Sequence, residues 1–172
     1  MTAEELRAVQ APLKESYRRD AACARIPARA EARLDPHDIA VHVGGWHGEV
    51  VAGLHPAAGG SGALACSGDM LLQALVACAG VTLRAVATAM GVELRGGRIV
   101  ADAHWDARGT LAIDKTAPVG LTDIALTFDL DTDADPARLE RLIASTERYC
   151  VIFQTLRTPP RLSVRLANSV EA

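Results

Sequence analysis

Aromatic side chains are scarce in this chain, with two Trp, two Tyr and two Phe among 172 residues. That scarcity removes the stacking platforms on which single-stranded nucleic acids rest. An excess of one charge is missing too, since 18 Lys and Arg stand against 21 Asp and Glu, a net charge of -3. Such a balance leaves no basic footprint for a polyanion, so nucleic acid is not an expected partner. Cysteine is limited to Cys23, Cys66, Cys78 and Cys150. Four are too few for a disulfide scaffold in a chain of this size, and reduced thiols are expected. They lack CxxC spacing, and His37, His42, His47 and His55 lack the close pairing of zinc motifs, so neither a metal nor another cofactor is expected. The N-terminus has no basic n-region and no apolar h-region, which points to the cytoplasm. The longest uncharged apolar run, Met70 to Leu83, is shorter than the roughly 18 to 20 residues that cross a bilayer, and Gln73 interrupts it. No membrane span is expected.

What is present is apolar surface. Hydrophobic residues make up 49% of the chain and charged residues 23%, enough to bury a core and too apolar for disorder. Without an internal repeat or linker, residues 1–172 read as one domain. Thr2-Ala-Glu-Glu5 has the form of a capping box, followed by Leu6, Val9, Leu13 and Tyr17 at helical spacing. An amphipathic helix over residues 2–20 is predicted. From Arg25 to Leu34 the apolar residues fall on one parity and Arg25, Arg29, Glu31 and Arg33 on the other, the period of a half-buried strand. Strands are predicted next at 38–44 and 48–55, then a glycine-rich loop at 56–62.

Residues 69–90 are apolar nearly all round and end at Gly91, the pattern of a helix buried on most faces. Residues 92–106 and 121–131 read as paired antiparallel strands, with Ile124, Leu126, Phe128 and Leu130 alternating in the second. Pro136 opens another helix. A short helical segment at 150–156 and a last strand at 161–167 complete an α+β class.

Cys78 lies in the apolar helix, with Ala74, Leu75, Val81 and Thr82 as its neighbours at three and four residues. Taken alone it reads as a packed core thiol, and Cys150, after the late helix, reads the same way. Together they carry a resemblance. The block from Ala65 to Cys78, followed by Arg148-Tyr149-Cys150, resembles the OsmC and Ohr family, the osmotically induced and organic hydroperoxide resistance proteins. The resemblance covers residues 25–168, and residues 1–22 resemble a helical extension seen in one OsmC-like subgroup. It implies antiparallel sheets around a buried central helix, an intertwined homodimer, and a site at the subunit interface.

By the same resemblance Cys78 matches the peroxidatic cysteine and Cys150 the resolving one. The substrate implied is an organic hydroperoxide, and the reductant a dithiol such as a lipoylated protein. A thiolate that attacks the O–O bond becomes a sulfenic acid, which a second thiol condenses to a disulfide. The chain departs from the family pattern where a Pro-Glu pair is expected, because Ser67-Gly68 stands there. Asp69 comes one residue later, about 100° further round the helix; alone it reads as an N-cap or first-turn acid. Arg25, Arg29 and Arg33 are the candidate arginines for supporting the thiolate, or else line a solvated strand face. Desolvation by Ala74, Leu75 and Val81 is expected to raise the Cys78 pKa and slow its reaction unless a positive charge or a helix terminus compensates. Cys66, twelve residues ahead of Cys78, reads as a packed thiol or an extra redox site at a helix start. Two functions follow: a cysteine peroxidase of stress defence, or a redox-responsive binding scaffold with little turnover.

Overall fold

In a computed structural model that describes residues 1–45 and 48–167, the chain opens with α1 (Ala3–Arg19). Its capping box is closed in both directions: Thr2 Oγ1 accepts from the Glu5 N–H at 3.1 Å, and Glu5 Oε2 accepts from the Thr2 N–H at 2.7 Å. Two of the four orphan amides at the helix start are thus satisfied. His47 and residue 168 lie outside the described residues.

The predicted strand at 25–34 is shorter than expected. Only β1 (Glu31–Leu34) forms, and all four of its residues are exposed; residues 25–30 form neither helix nor strand and follow a 3-10 turn at Ala21–Ala24. Pro27 has no N–H to donate to a ladder, and the alanines of this stretch carry little surface worth burying. β1 pairs antiparallel with β2 (Ala40–Gly45), which pairs antiparallel with β3 (Gly48–Gly53). β4 (Ala65–Cys66) joins β3 in parallel. This sheet is therefore mixed, which corrects the expectation of antiparallel sheets only. The glycine-rich loop is a built turn, in which Pro56–Ala58 form a 3-10 turn capped by His55 Nδ1 on the Ala57 N–H at 3.0 Å.

The central helix, α2 (Ser67–Met90), ends at Gly91 in the left-handed region, where a glycine meets no Cβ penalty. It is long and apolar enough to cross a membrane by length and composition, which corrects the reading taken from the 70–83 run alone. In the fold it serves as a core helix, but one stripe only is buried: Leu75, Ala79, Leu83 and Ala87, at four-residue spacing. Expected burial on most faces is not met within this chain. Val81 is 73% exposed.

β5 (Gly96–His104) and β6 (Thr122–Asp131) form an antiparallel pair with an irregularity between Asp102 and His104. The alternation along β6 is as predicted, with Ile124, Leu126, Phe128 and Leu130 turned inward. Between the two strands lies a single turn, α3 (Ala107–Thr110). α4 (Pro136–Tyr149) is capped by Asp135 and followed by α5 (Val151–Arg157). Leu83, Ala87, Val92, Leu94 and Leu142 form the core, with Phe128, Leu130 and Leu139 packed on it. This core fixes α2 against α4, and so sets where Cys150 meets α2.

No strand forms at 161–167. Those residues are exposed, with Leu162 86%, Val164 97% and Leu166 90%. A strand needs a neighbouring edge for its N–H and C=O groups, and residues 161–167 pair with none of the described strands.

Candidate active site

Cys150 sits where the chain breaks out of one helix and into the next. Its extended backbone (φ -74°, ψ 109°) ends α4, and its own N–H still closes on the Thr146 carbonyl at 2.9 Å. Its Sγ then caps α5 by accepting the Phe153 N–H at 3.5 Å. A helix start leaves several N–H groups without intrahelical partners. Here they are shared between two sulfurs, since the Ile152 and Val151 N–H groups act on Cys78.

Cys78 is half-buried on α2 and Cys150 is 1% exposed; both are free thiols. Each acts on the titration of the other. Burial pushes the Cys78 thiol up, as expected from sequence, but it is outweighed. The Ile152 N–H, the Cys150 thiol, the Val151 N–H and the Thr82 hydroxyl all favour the thiolate, and the net result lies below the ordinary cysteine value. The start of α5 is thus the compensating helix terminus, and the rise expected without one is reversed. Of the three apolar neighbours expected around Cys78, Leu75 is buried while Ala74 and Val81 are open to solvent. Cys150 moves the other way: burial raises it, and the neighbouring Cys78 raises it further against the Phe153 and Ile152 amides. The pair is thus polarised, with Cys78 the more acidic thiol and Cys150 the less acidic one.

The remaining candidates lie elsewhere in this chain. Asp69 is exposed in the first turn of α2, where the helix dipole favours an acid; Cys66, not Asp69, is the N-cap. Nine residues of α2 separate Asp69 from Cys78, about 13 Å of rise. A Cβ at Gly68 meets only ordinary contacts, 3.7 Å from Cys66 Sγ and 3.9 Å from Leu121 Cδ2. Arg25 is exposed at the end of the 3-10 turn. Arg29 bonds Glu31 at 2.6 Å and Arg33 bonds Glu49 at 3.2 Å. Within the chain none of these acts on Cys78; the Val151 and Ile152 amides and Thr82 do. The two amides were not visible as a site from sequence, because their role depends on the break at Cys150. Thr82 was visible as the one polar neighbour at helical spacing.

Cys66 lies at the far end of α2, facing a cavity of about 380 Å³ lined by His55, Leu71, Trp105 and Leu121. On the neighbouring face of α2, Val76, Ala77, Gly80 and Ile99 line a groove of about 560 Å³. Among the described residues no cluster of His, Cys, Asp and Glu is arranged to hold a metal.

A family profile of the OsmC-like protein matches residues 60–165. No curated protein matches the sequence. Solved structures share the fold. An OsmC-like protein from Mycoplasma pneumoniae superposes with a TM-score of 0.64 at 16% identity, over 78% of this chain and 89% of that one. An organic hydroperoxide resistance protein from Legionella pneumophila gives 0.60 at 18% identity, over 77% and 90%. The organic hydroperoxide resistance protein OhrB of Bacillus subtilis gives 0.52 at 20% identity, over 78% and 93%.

Proposed function

This chain belongs to the OsmC-like protein family, and from that premise we propose that it is a thiol peroxidase that reduces organic hydroperoxides in stress defence through Cys78 and Cys150. The observation that carries the reading is the opposed polarisation of the two thiols, Cys78 toward thiolate and Cys150 away from it. The Cys78 thiolate attacks one peroxide oxygen, the O–O bond breaks, and the alkoxide leaves and takes up a proton. Cys78 is then a sulfenic acid. The Cys150 sulfur attacks it, releases water and forms the Cys78–Cys150 disulfide. A dithiol, such as a lipoyl group on a carrier protein, reduces that disulfide and becomes one itself. Similarity to proteins described as organic hydroperoxide resistance proteins supports the substrate class.

The working form is a cytoplasmic homodimer. Leu34 (80% exposed), Ile39 (77%) and Val81 (73%), with the exposed apolar side chains of 161–167, form more uncovered apolar surface than a lone soluble chain carries. Sedimentation at micromolar concentration should give the dimer mass; a stable monomer contradicts this part. The activity is tested by mixing the protein with cumene hydroperoxide and a dithiol. Peroxide consumption that disappears in Cys78→Ser supports the reading, and consumption unchanged by it refutes it. A second reading, a redox-responsive binding scaffold with little turnover, draws on the absence, among the described residues, of an arginine or carboxylate acting on Cys78. It predicts one round of oxidation without sustained consumption.

A further inference from the structure

His42 stands in a polar cluster remote in role from the cysteine pair. In the sheet it lies between Arg33 of β1 and Val51 of β3. Its Nδ1 is 2.7 Å from Glu49 Oε1, and its Nε2 is 3.0 Å from Asp35 Oδ2. Arg33 Nη2 donates to the other Glu49 oxygen at 3.2 Å. Asp35 Oδ1 accepts the backbone N–H groups of His37 at 2.9 Å and Asp38 at 3.0 Å, so the carboxylate is pinned in the turn between β1 and β2. A carboxylate only accepts, so each ring nitrogen facing one must carry a proton. Neutral imidazole has a single N–H and leaves the second contact as lone pair against lone pair. The arrangement is complete only with imidazolium. The two carboxylates also face opposite ring nitrogens and cannot converge on one cation, which sets the cluster apart from a metal site.

We infer that His42 is a proton-operated clasp that fastens β1, and the chain leading into it, to the β2–β3 hairpin. β1 has no buried residue, so its attachment rests on the backbone ladder and on this cluster. With the imidazolium present, Arg33 and His42 balance Asp35 and Glu49; without it a net negative charge remains and one carboxylate loses its donor. His37 and Asp38 meet the cluster through their backbone N–H groups only.

The sign follows from the neighbours. Bonds to Asp35 and Glu49 raise the His42 pKa above the ordinary imidazole value, against partial burial and the charge of Arg33. The His42 contribution is then whole below the unfolded-chain value, near about 6.5, and is lost as pH rises through the higher folded value. On the acid side, His42 and the His37 and Asp38 amides bring Asp35 down to about 2, and Glu49 is lowered by His42. Those contributions are lost as pH falls through the folded carboxyl values.

The test is NMR on the full chain. The His42 ring is titrated, assigned by its disappearance in His42→Gln, while amide exchange is followed at Glu31–Leu34 with the β5–β6 amides as internal control. Exchange is corrected for its intrinsic pH dependence. Expected is a His42 midpoint above the free imidazole value and a loss of β1 protection over the same range, with β5–β6 unaffected and no such step in His42→Gln. A His42 midpoint at or below the free value, β1 protection indifferent to pH, or an unchanged step in His42→Gln overturns the inference. Should His42→Gln not fold, the coincidence or separation of the two wild-type midpoints decides.

Discussion

Cys78 on α2 and Cys150 at the α4–α5 junction shift each other in opposite senses: the pairing lowers the pKa of the first and raises that of the second. On the proposed reading, this asymmetry separates the two single variants. Cys78→Ser should be inert to hydroperoxide. Cys150→Ser should consume one equivalent and stop at a sulfenic acid on Cys78, trapped by dimedone and located by peptide mass. Equal loss of the first oxidation step in both variants would remove the distinction.

The Cys78 thiolate is supported by Thr82 as well as by the α5 amides. Thr82→Val keeps the size and removes the donor. A folded thiol lowered by its neighbours is reactive above its folded pKa and loses reactivity as pH falls through it. The alkylation rate of Cys78 against pH should therefore have its midpoint below that of an ordinary cysteine, and Thr82→Val should move it upward with a slower rate at neutral pH. An unmoved midpoint would show that the amides alone hold the thiolate.

Much of this fold was legible, and the reasons differ by element. The capping box at Thr2, the Gly91 stop of α2, the alternation from Ile124 to Leu130 and Pro136 at the start of α4 are local signals, and the structure uses each as read. The stretches 25–30 and 161–167 carry strand periodicity as well. Periodicity states which face a strand would bury, but a ladder also needs pairing with an edge; Pro27 interrupts it in the first stretch, and the second pairs with no described strand. The meeting of Cys78 with Cys150 came from resemblance, since no spacing rule joins residues on different helices. The His42 cluster needed the β1–β2–β3 register, which sequence does not state.

Leu142 is 0% exposed and belongs to the core cluster that seats α4 on α2. Leu142→Ala should cost about 2–5 kcal/mol, the range for emptying a buried leucine site. Urea unfolding followed by circular dichroism measures it. Because α4 leads into Cys150, the variant should also slow disulfide formation. A cost under about 1 kcal/mol, well below that range, would mean that the site collapses freely or that α4 is seated by other contacts.

Gly97 holds a φ of +141° in β5, and a Cβ there would stand 2.5 Å from the Asp129 carbonyl oxygen of β6. Gly97→Ala should destabilise the β5–β6 pair by roughly 1–3 kcal/mol through backbone strain, with some added cost for the clash. Thermal unfolding of the variant against wild type checks it, and an unchanged midpoint would contradict it.

The most direct measurement is a single-turnover reaction of the reduced protein with one equivalent of cumene hydroperoxide, quenched by thiol alkylation and read by peptide mass spectrometry. Expected is one new disulfide joining Cys78 and Cys150, with Cys23 and Cys66 alkylated and cumyl alcohol formed in equal amount. Recovery of Cys78 and Cys150 as alkylated thiols, with the peroxide unconsumed or a disulfide at Cys66 instead, would contradict the two-cysteine peroxidase.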